Sequence, residues 1–488
     1  MNLKIQEQTS SPKLIFTDKD CPLVVDLDGT LINTDLLYEG VIMLLRKNPL
    51  YFFQCFRWLL KGKVYFKNEI FKIVSLRYEL LPCNKELLSF LQTESANGRK
   101  IILATASLKS NAQEISKTFP IFDEIYATEK VNLKGRNKLK ILINEFGESK
   151  FDYIGNSYSD LKIFASSRFS YLVNPSKSLE RKTSEVSDLK YTWKTKKLHL
   201  RDYIKAIRVY QWIKNLLIFV PLITSHSFYS FNMIAQATWA FFAFSFAASS
   251  GYVINDLFDL NADRSHPRKR LRPFASGRLS ILSGIILAFT LLVAGLFVAS
   301  QLSFLFLIIL LIYFIISFSY SLYFKKIVLY DVFILTMLYS TRVIAGGIVI
   351  NVPISFWLIA FSAFIFLSLA FVKRYSELMK INDETNLKDR GREYAKVDLN
   401  LLQIMGIASG FISVVVFSLY IDSPEVSQLY SHPKILWGIS LLFLFWISRI
   451  WVITNRGEMT DDPIVFAIKD VSSYFIFLVI GLIIFLSI

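Results

Sequence analysis

The chain has 488 residues, of which 53% are hydrophobic and only 19% are charged. Soluble domains carry about 25% charged residues, so the composition argues against a wholly soluble protein. The net charge of +16 suits anionic lipid or phosphate-bearing substrates, and because basic loops of a membrane protein account for it, we expect no nucleic-acid partner.

Residues 1–190 alternate short apolar runs with helical stretches, which predicts an α/β domain around a parallel sheet. The expected strands lie in CPLVVDLDGT (21–30), GRKIILATAS (98–107), FDYIGNSYSD (151–160) and SYLVN (170–174). Polar residues follow these strands, and ligands bind at the carboxyl ends of parallel strands. A site is therefore expected there.

Four short patterns in this region resemble, in order, the motifs of the haloacid dehalogenase (HAD) superfamily of phosphatases. They contain Asp26 and Asp28 in DLDGT, Thr105 in ATAS, Lys138 in NLKGRNK, with Lys134 as the alternative, and Asp160 in GNSYSD. The resemblance implies that Asp26 is the nucleophile and Asp28 the general acid/base. It further implies that Thr105 and Lys138 bind the substrate and that Asp26, Asp28 and Asp160 hold Mg²⁺. Asn156 stands where the family usually has an acid, so an inert scaffold is the alternative.

The insert at about 35–96 is expected to form a helical cap. It contains LLRKNPLYFFQCFRWLLKGKVYF (44–66), which is aromatic and basic. Such a helix suits a lipid headgroup layer, but packing against its own domain is an equally good interpretation.

A basic linker at 191–205 precedes long apolar runs from 206 to 488, which predict an all-α transmembrane bundle. Nine spans are expected near 213–231, 233–254, 280–299, 302–322, 327–350, 354–376, 401–421, 433–453 and 471–488. Basic residues concentrate in the loops after the even-numbered spans. By the positive-inside rule, this predicts a multi-pass protein of the inner (plasma) membrane with its N-terminal domain in the cytoplasm.

Carboxylates concentrate at the end of the second span. Asp256, Asp259 and Asp263 are spaced i, i+3 and i+7, which predicts one helix face, with Asn255 beside them. Acids next to a span are functional candidates, and oxygen ligands suit Mg²⁺. We therefore expect a magnesium site here.

Cations and hydrogen-bonding groups surround this motif in the sequence. The substrate-binding candidates are Arg208, Gln211, Lys214, Asn215, Arg264, His266, Lys269, Arg272, Tyr320, Tyr323, Lys325, Arg342, Lys373 and Arg374. Arginine binds phosphate oxygens in a bidentate fork, so acids, metal and arginines together predict a diphosphate site. Arg342 lies within a span and is expected to meet the acids near Asp331 or the substrate.

The pattern N-D-x-x-D-x-x-x-D with R-x-H-P in a nine-span domain resembles the UbiA superfamily of intramembrane prenyltransferases, which bind prenyl diphosphates through Mg²⁺. The strings RVYQWIKN, NADRSHPRKRLRP, RVIAGG and KRYSEL are most similar to the decaprenyl-phosphate phosphoribosyltransferase branch. A second D-x-x-x-D is missing, because Leu335 stands four residues after Asp331. The resemblance implies transfer of phosphoribose from phosphoribosyl diphosphate to polyprenyl phosphate.

The fused phosphatase would then dephosphorylate the product lipid. The alternative function is that of an aromatic polyprenyltransferase, which would act on 4-hydroxybenzoate or a quinone precursor. A third interpretation is a non-catalytic transporter or lipid-binding scaffold.

Overall fold

The computed structural model describes residues 21–194, 199–227, 229–380, 393–460 and 462–487. Residues 1–20 of the expected first domain and residues 195–198 of the expected linker lie outside these ranges. The chain forms two compact units. Unit 1 holds the described residues up to Tyr203 together with Asp256–Gly284, and unit 2 holds Ile204–Asn255 and the residues from Ile285 onward. We call Asp256–Gly284 the acidic segment.

Unit 1 is built on a parallel sheet, which confirms the expected α/β class. Its six strands are β1 (Leu23–Val25), β2 (Ile101–Leu108), β3 (Glu124–Thr128), β4 (Asp152–Gly155), β5 (Ser170–Val173) and β6 (Leu189–Trp193). Their order in the sheet is β3-β2-β1-β4-β5-β6. The central β1 pairs with β2 on one side and β4 on the other, so the strand order reverses at β1 and opens a crevice at its carboxyl end.

Helices connect the strands of unit 1, and four of them lie within the insert at 35–96. They are α1 (Leu36–Lys47), α2 (Tyr51–Leu60), α3 (Lys63–Ile73), α4 (Lys85–Ala96), α5 (Lys109–Thr118), α6 (Arg136–Phe146), α7 (Leu161–Ser166) and α8 (Lys177–Val186). The Asp35 carboxylate caps α1 by accepting hydrogen bonds from the backbone N–H groups of Leu37 and Tyr38. This N-cap at Asp35 fixes where α1 starts, shortly after the DLDGT loop.

The remaining helices confirm the expected all-α membrane domain. They are α9 (Leu200–Ala206), α10 (Val220–Thr224), α11 (Phe231–Phe258), α12 (Leu260–Ser265), α13 (Ile281–Leu302), α14 (Phe304–Leu322), α15 (Tyr330–Val349), α16 (Phe356–Met379), α17 (Leu399–Ile421), α18 (Pro424–Leu429), α19 (Trp437–Asn455), α20 (Pro463–Lys469) and α21 (Val471–Ser487). Among the described residues, seven helices are long and apolar enough to cross a membrane, and two bent pairs raise the number to nine.

Two expected helices differ from the structure. The first span is bent by 52°, and residues Val209–Phe219 form a 3-10 helix before α10. The expectation that Asp256, Asp259 and Asp263 share one helix face is wrong, because α11 ends at Phe258 and Asp259 leaves the helical conformation before α12. Aspartate favours helix ends over helix interiors because its carboxylate competes for backbone N–H groups, and three neighbouring acids also repel one another.

Gly346 allows a close approach between α15 and residues 209–219 in unit 2. A Cβ atom at this position would lie 2.1 Å from the carbonyl oxygen of Ile218. We expect Gly346→Ala to destabilise the protein by about 1–3 kcal/mol, although alanine favours the helix more than glycine.

Thermal unfolding of the detergent-solubilised protein measures this loss. Gly481→Ala in α21 is the matched control, because no atom lies within 4 Å of a Cβ there. Equal melting temperatures for the two variants would contradict the assigned contact between α15 and residues 209–219.

Candidate active sites

The carboxyl end of β1 carries the first candidate site. The Lys138 ammonium group donates to Asp26 Oδ1 at 2.8 Å and to the Tyr153 hydroxyl at 3.1 Å. Burial disfavours a charged lysine, but the carboxylates of Asp26 and Asp160 outweigh it and raise the pKa of Lys138. The lysine is therefore a fixed cation beside Asp26.

Asp28 has the environment of an acid/base group. Its carboxylate accepts hydrogen bonds from the Leu36 N–H at 2.9 Å and from the Ser107 hydroxyl at 2.8 Å. Burial and the neighbouring Asp35 raise its pKa to about 7, so both protonation states are accessible near neutral pH. Thr105 is buried on β2, and its hydroxyl accepts the Ser107 N–H at 3.0 Å. Ser107 is a site residue that sequence reasoning missed, although it stands two positions after Thr105.

Asp160 and Asn156 complete this site from the loop after β4. Burial raises the pKa of Asp160 to about 6, and its Oδ2 has no hydrogen-bond donor among the described residues. The Asn156 amide lies against Gly29, where a Cβ would be 2.1 Å from Nδ2, and the φ of +74° also requires glycine. Carboxylate and amide oxygens suit Mg²⁺. Within the described ranges, however, no three His, Cys, Asp or Glu side chains lie close enough to hold a metal ion.

The acidic segment carries the second set of candidates. Arg272 Nη1 donates to Asp256 Oδ1 at 3.0 Å and to Asp263 Oδ2 at 2.7 Å. Arg46 of α1 lies 3.5 Å from an Asp259 oxygen. The structure therefore brings Asp256, Asp263 and Arg272 together, and arginine side chains pair with all three acids, whereas the sequence predicted that Arg272 binds phosphate.

Arg264 has a different role from the expected phosphate contact. Its guanidinium group forms a two-bond fork with Glu39 of α1, at 2.6 and 3.1 Å, and its Nε donates to the Ala275 carbonyl at 3.1 Å. The Thr34 hydroxyl donates to the same Glu39 carboxylate at 2.7 Å. Both charged side chains are at most 4% exposed. This pair holds the acidic segment to α1, so we correct the substrate-binding assignment of Arg264 to a structural one.

The other candidates of the acidic segment lie nearer the surface. The Nδ1 atom of His266 accepts backbone N–H groups of Arg268 and Lys269 at 3.2 and 3.4 Å, so His266 stabilises its own turn. The Lys269 side chain is exposed.

In unit 2, Arg342 lies in a buried network of neutral partners. Its Nε donates to Asn215 Oδ1 at 2.8 Å, and its Nη2 donates to the Tyr313 hydroxyl at 2.8 Å. The expectation that Arg342 meets the acids near Asp331 is wrong, because Arg374 forms the ion pair with Asp331. Arg374 also contacts Glu377, so its charge is compensated within the fold.

A second cluster of unit 2 centres on Asp462, which sequence reasoning missed. Lys214 forms a buried ion pair with Asp462, and Lys373 also interacts electrostatically with that carboxylate. The only sequence signal was the string T-D-D-P (460–463) before the last apolar run. Lys325 donates to Asn255 Oδ1 at 3.3 Å, which joins two further candidates.

The other four expected substrate-binding residues of unit 2 have different surroundings, and Tyr320 interacts electrostatically with Lys373 and Arg374. Arg208 lies over the Tyr252 ring at 5.2 Å, and Gln211 Oε1 is buried without a hydrogen-bond donor among the described residues. Tyr320 is half-buried, and Tyr323 is exposed.

Comparisons with known proteins match both parts of the chain. The model of the UbiA prenyltransferase family matches residues 218–467. The uncharacterized protein y4nM of Sinorhizobium fredii is 34% identical over 462 residues, covering 94% of this chain and 89% of that protein. A decaprenyl-phosphate phosphoribosyltransferase of Mycolicibacterium smegmatis is 31% identical over 276 residues, covering 55% and 86%.

Two solved structures are also similar. A UbiA homolog from Archaeoglobus fulgidus bound to GPP and Mg²⁺ has a TM-score of 0.45 at 16% identity, covering 58% of this chain and 99% of that one. A phosphoserine phosphatase in apo form has a TM-score of 0.27 at 15% identity, covering 38% and 98%.

The pair of Glu39 and Arg264 yields a stability prediction. Glu39→Gln leaves a buried guanidinium group without its counter-charge, and we expect unit 1 to lose about 3–5 kcal/mol. Hydrogen exchange of the α1 and α12 amides in the full chain measures the loss.

Glu69→Gln is the matched control, because Glu69 pairs at 2.6 Å with the exposed Lys72 and such pairs contribute little. Adding Arg264→Met to Glu39→Gln should recover part of the protection, since the unpaired charge is gone. Unchanged exchange in Glu39→Gln would contradict the structural role of the pair.

Proposed function

Because the chain belongs to the UbiA prenyltransferase family, we propose that its membrane domain transfers phosphoribose from phosphoribosyl diphosphate to a polyprenyl phosphate. The similarity to a decaprenyl-phosphate phosphoribosyltransferase over 86% of that protein supports this substrate pair. Both substrates carry phosphate groups, which require cations in the protein.

The observation that carries the proposal is the charge balance around Lys214, Lys373 and Arg342 among the described residues of unit 2. Lys214 and Lys373 both interact electrostatically with one carboxylate, that of Asp462. The guanidinium group of Arg342 donates hydrogen bonds to the neutral side chains of Asn215 and Tyr313. Lys214 and Arg342 also repel each other electrostatically. Buried positive charge in excess of negative charge is costly unless an anion binds. A donor with phosphate at both ends of the sugar supplies that anion, and a prenyl diphosphate supplies less negative charge.

The reaction is a displacement at the anomeric carbon of the ribose. An oxygen of the polyprenyl phosphate forms the new C–O bond, and the bond to the diphosphate breaks with the electron pair leaving on the diphosphate. Cationic side chains neutralise this leaving charge, which is the largest change on the way to the transition state. The motif acids Asp256, Asp259 and Asp263 would supply carboxylates to a Mg²⁺ ion held mainly by the diphosphate and water, because no three such side chains of the described residues lie close enough to bind the ion by themselves. The ion would supply further neutralisation of the diphosphate.

The direct test is transfer by the purified full chain in lipid nanodiscs. With phosphoribosyl diphosphate, polyprenyl phosphate and Mg²⁺, we expect a phosphoribosylated lipid by mass spectrometry. Asp256→Asn should abolish transfer, because it removes a negative ligand. Asp422→Asn, at an exposed acid after α17, should leave transfer unchanged.

Donor binding is measured separately by thermal unfolding, since a ligand that binds the folded state raises the melting temperature. Phosphoribosyl diphosphate with Mg²⁺ should protect more than geranyl diphosphate. Prenylation of 4-hydroxybenzoate without any response to phosphoribosyl diphosphate would replace the proposal with an aromatic prenyltransferase. Absence of turnover with every donor would favour a transporter or scaffold.

We further propose that unit 1 is a phosphatase that removes the 5-phosphate from the product lipid. Asp26, whose carboxylate accepts a hydrogen bond from Lys138, would attack phosphorus and form an aspartyl-phosphate while Asp28 protonates the leaving oxygen. Water deprotonated by Asp28 would then hydrolyse the aspartyl-phosphate and release phosphate. Asp26, Asp28 and Asp160 would hold Mg²⁺ together with oxygens of the substrate phosphate, since no three such side chains of the described residues lie close enough to bind the ion by themselves.

Asp26→Asn should abolish phosphate release from sugar phosphates or lipid-linked phosphoribose and leave transfer intact. A colorimetric phosphate assay on the full chain measures release, and mass spectrometry of the lipid measures transfer. Asp123→Asn, which removes a carboxylate that accepts the Ile101 N–H away from the site, is the control for folding. A wild-type chain that releases no phosphate from any of these substrates would identify unit 1 as a scaffold.

The seven or more apolar helices make the chain a multi-pass membrane protein. We propose the inner membrane as its location and the cytoplasm as the side of its N-terminal domain, on the basis of the basic even-numbered loops.

A further inference from the structure

Helix α2 of unit 1 has an apolar face that no described part of the chain covers. No residue of α2 is buried. Large side chains on and beside it are 49–74% exposed, namely Leu50, Phe52, Phe53, Phe56, Leu59 and Leu60. Other exposed apolar residues of the sheet domain, such as Val131, Tyr158 and Val186, occur singly, which is ordinary for a protein surface.

The opposite face of α2 is the one that packs. Tyr51, Cys55 and Trp58, spaced i, i+4 and i+7, contact a small core that includes Leu44 and Ile70. The helix is therefore held to its own domain along one side. This fixed orientation turns the phenylalanines on the other side outward. Packing against its own domain, one of the two interpretations of this sequence region, therefore occupies only one face of α2.

The charge around α2 has one sign. Residues 40–68 contain no Asp or Glu, but they contain Arg46, Lys47, Arg57, Lys61, Lys63 and Lys67. Lys67 is directed inward, where it donates to the Ala106 carbonyl at 2.6 Å. Arg57, Lys61 and Lys63 lie on α2 or at its end, next to the exposed apolar side chains.

We propose that the outer face of α2 binds an anionic lipid surface, with Phe52, Phe53 and Phe56 at the boundary of headgroups and acyl chains. Aromatic side chains flanked by cations are the composition that such surfaces bind, because apolar burial and attraction to lipid phosphates add. The acidic segment of the same unit continues into α11 and α13, which have the length and hydropathy of membrane spans. Because the polypeptide chain links α2 to these membrane-spanning helices, the effective concentration of lipid near α2 is raised.

Lipid quenching of a site-specific fluorophore tests this surface. The full chain carries Cys55→Ser and Cys83→Ser, with the label attached at Phe53→Cys and, as a matched control, at the exposed Val186→Cys of α8. In nanodiscs containing about 30% phosphatidylglycerol, lipids with a spin label near the headgroup should quench position 53 about threefold more than position 186. Equal quenching at both positions would overturn the proposal.

Charge is tested with the same label, and self-association is tested by oxidising the unlabelled cysteine variant. Replacing Arg57, Lys61 and Lys63 by Gln should reduce the quenching at position 53, as should replacing phosphatidylglycerol by phosphatidylcholine. Disulfide cross-linking of two chains at Phe53→Cys, with no quenching by lipid, would show that a second copy of the chain covers α2 and would also overturn the proposal. Neither outcome depends on transferase or phosphatase activity, so this test is independent of the proposed function.

Discussion

The buried ion pair between Glu39 and Arg264 is the contact on which the organisation of unit 1 depends. A guanidinium group and a carboxylate that are at most 4% exposed must satisfy each other, because either charge alone would cost several kcal/mol in this setting. The pair joins residues 225 positions apart, and it is made by the arginine that directly follows Asp263. The acidic segment therefore belongs with the sheet domain, although its flanking helices are membrane spans. Its acids are positioned by α1 as well as by their own helices.

The same requirement for charge compensation separates two kinds of cation among the expected site residues. Arg264 and Arg374 each form a buried pair with a carboxylate, so the fold already uses their charge. Arg342 makes its bonds with an amide, a phenol and a carbonyl, and Lys373 shares Asp462 with Lys214. Sequence spacing treats all these residues alike. Only the partners identify which of them retain positive charge for an anion.

Much of the fold followed from the sequence because its signals are local. Short apolar runs ending in polar residues predicted β1, β2, β4 and β5. The motif residues Asp26, Thr105 and Asp160 lie on these strands or shortly after them, and Lys138 lies on α6. Apolar length likewise predicted the spans. The contacts between distant residues did not follow, since nothing local links Glu39 to Arg264 or Lys214 to Asp462, 248 positions away. The break at Asp259 was also missed, because an i, i+3, i+7 pattern describes a face only while the helix continues.

Asn156 stands where the HAD motif usually has an acid, and the geometry around Asp26 gives a physical explanation for this difference. The site combines the carboxylates of Asp26 and Asp160 with the Lys138 ammonium, and burial already raises the pKa of Asp160 to about 6. A further carboxylate at position 156, against the backbone of Gly29, would add negative charge to a buried group of acids that also includes Asp28. A neutral amide occupies the same volume, retains an oxygen ligand, and reduces the repulsion that a phosphate dianion meets on approach. Asn156 is thus compatible with the phosphate chemistry proposed for Asp26.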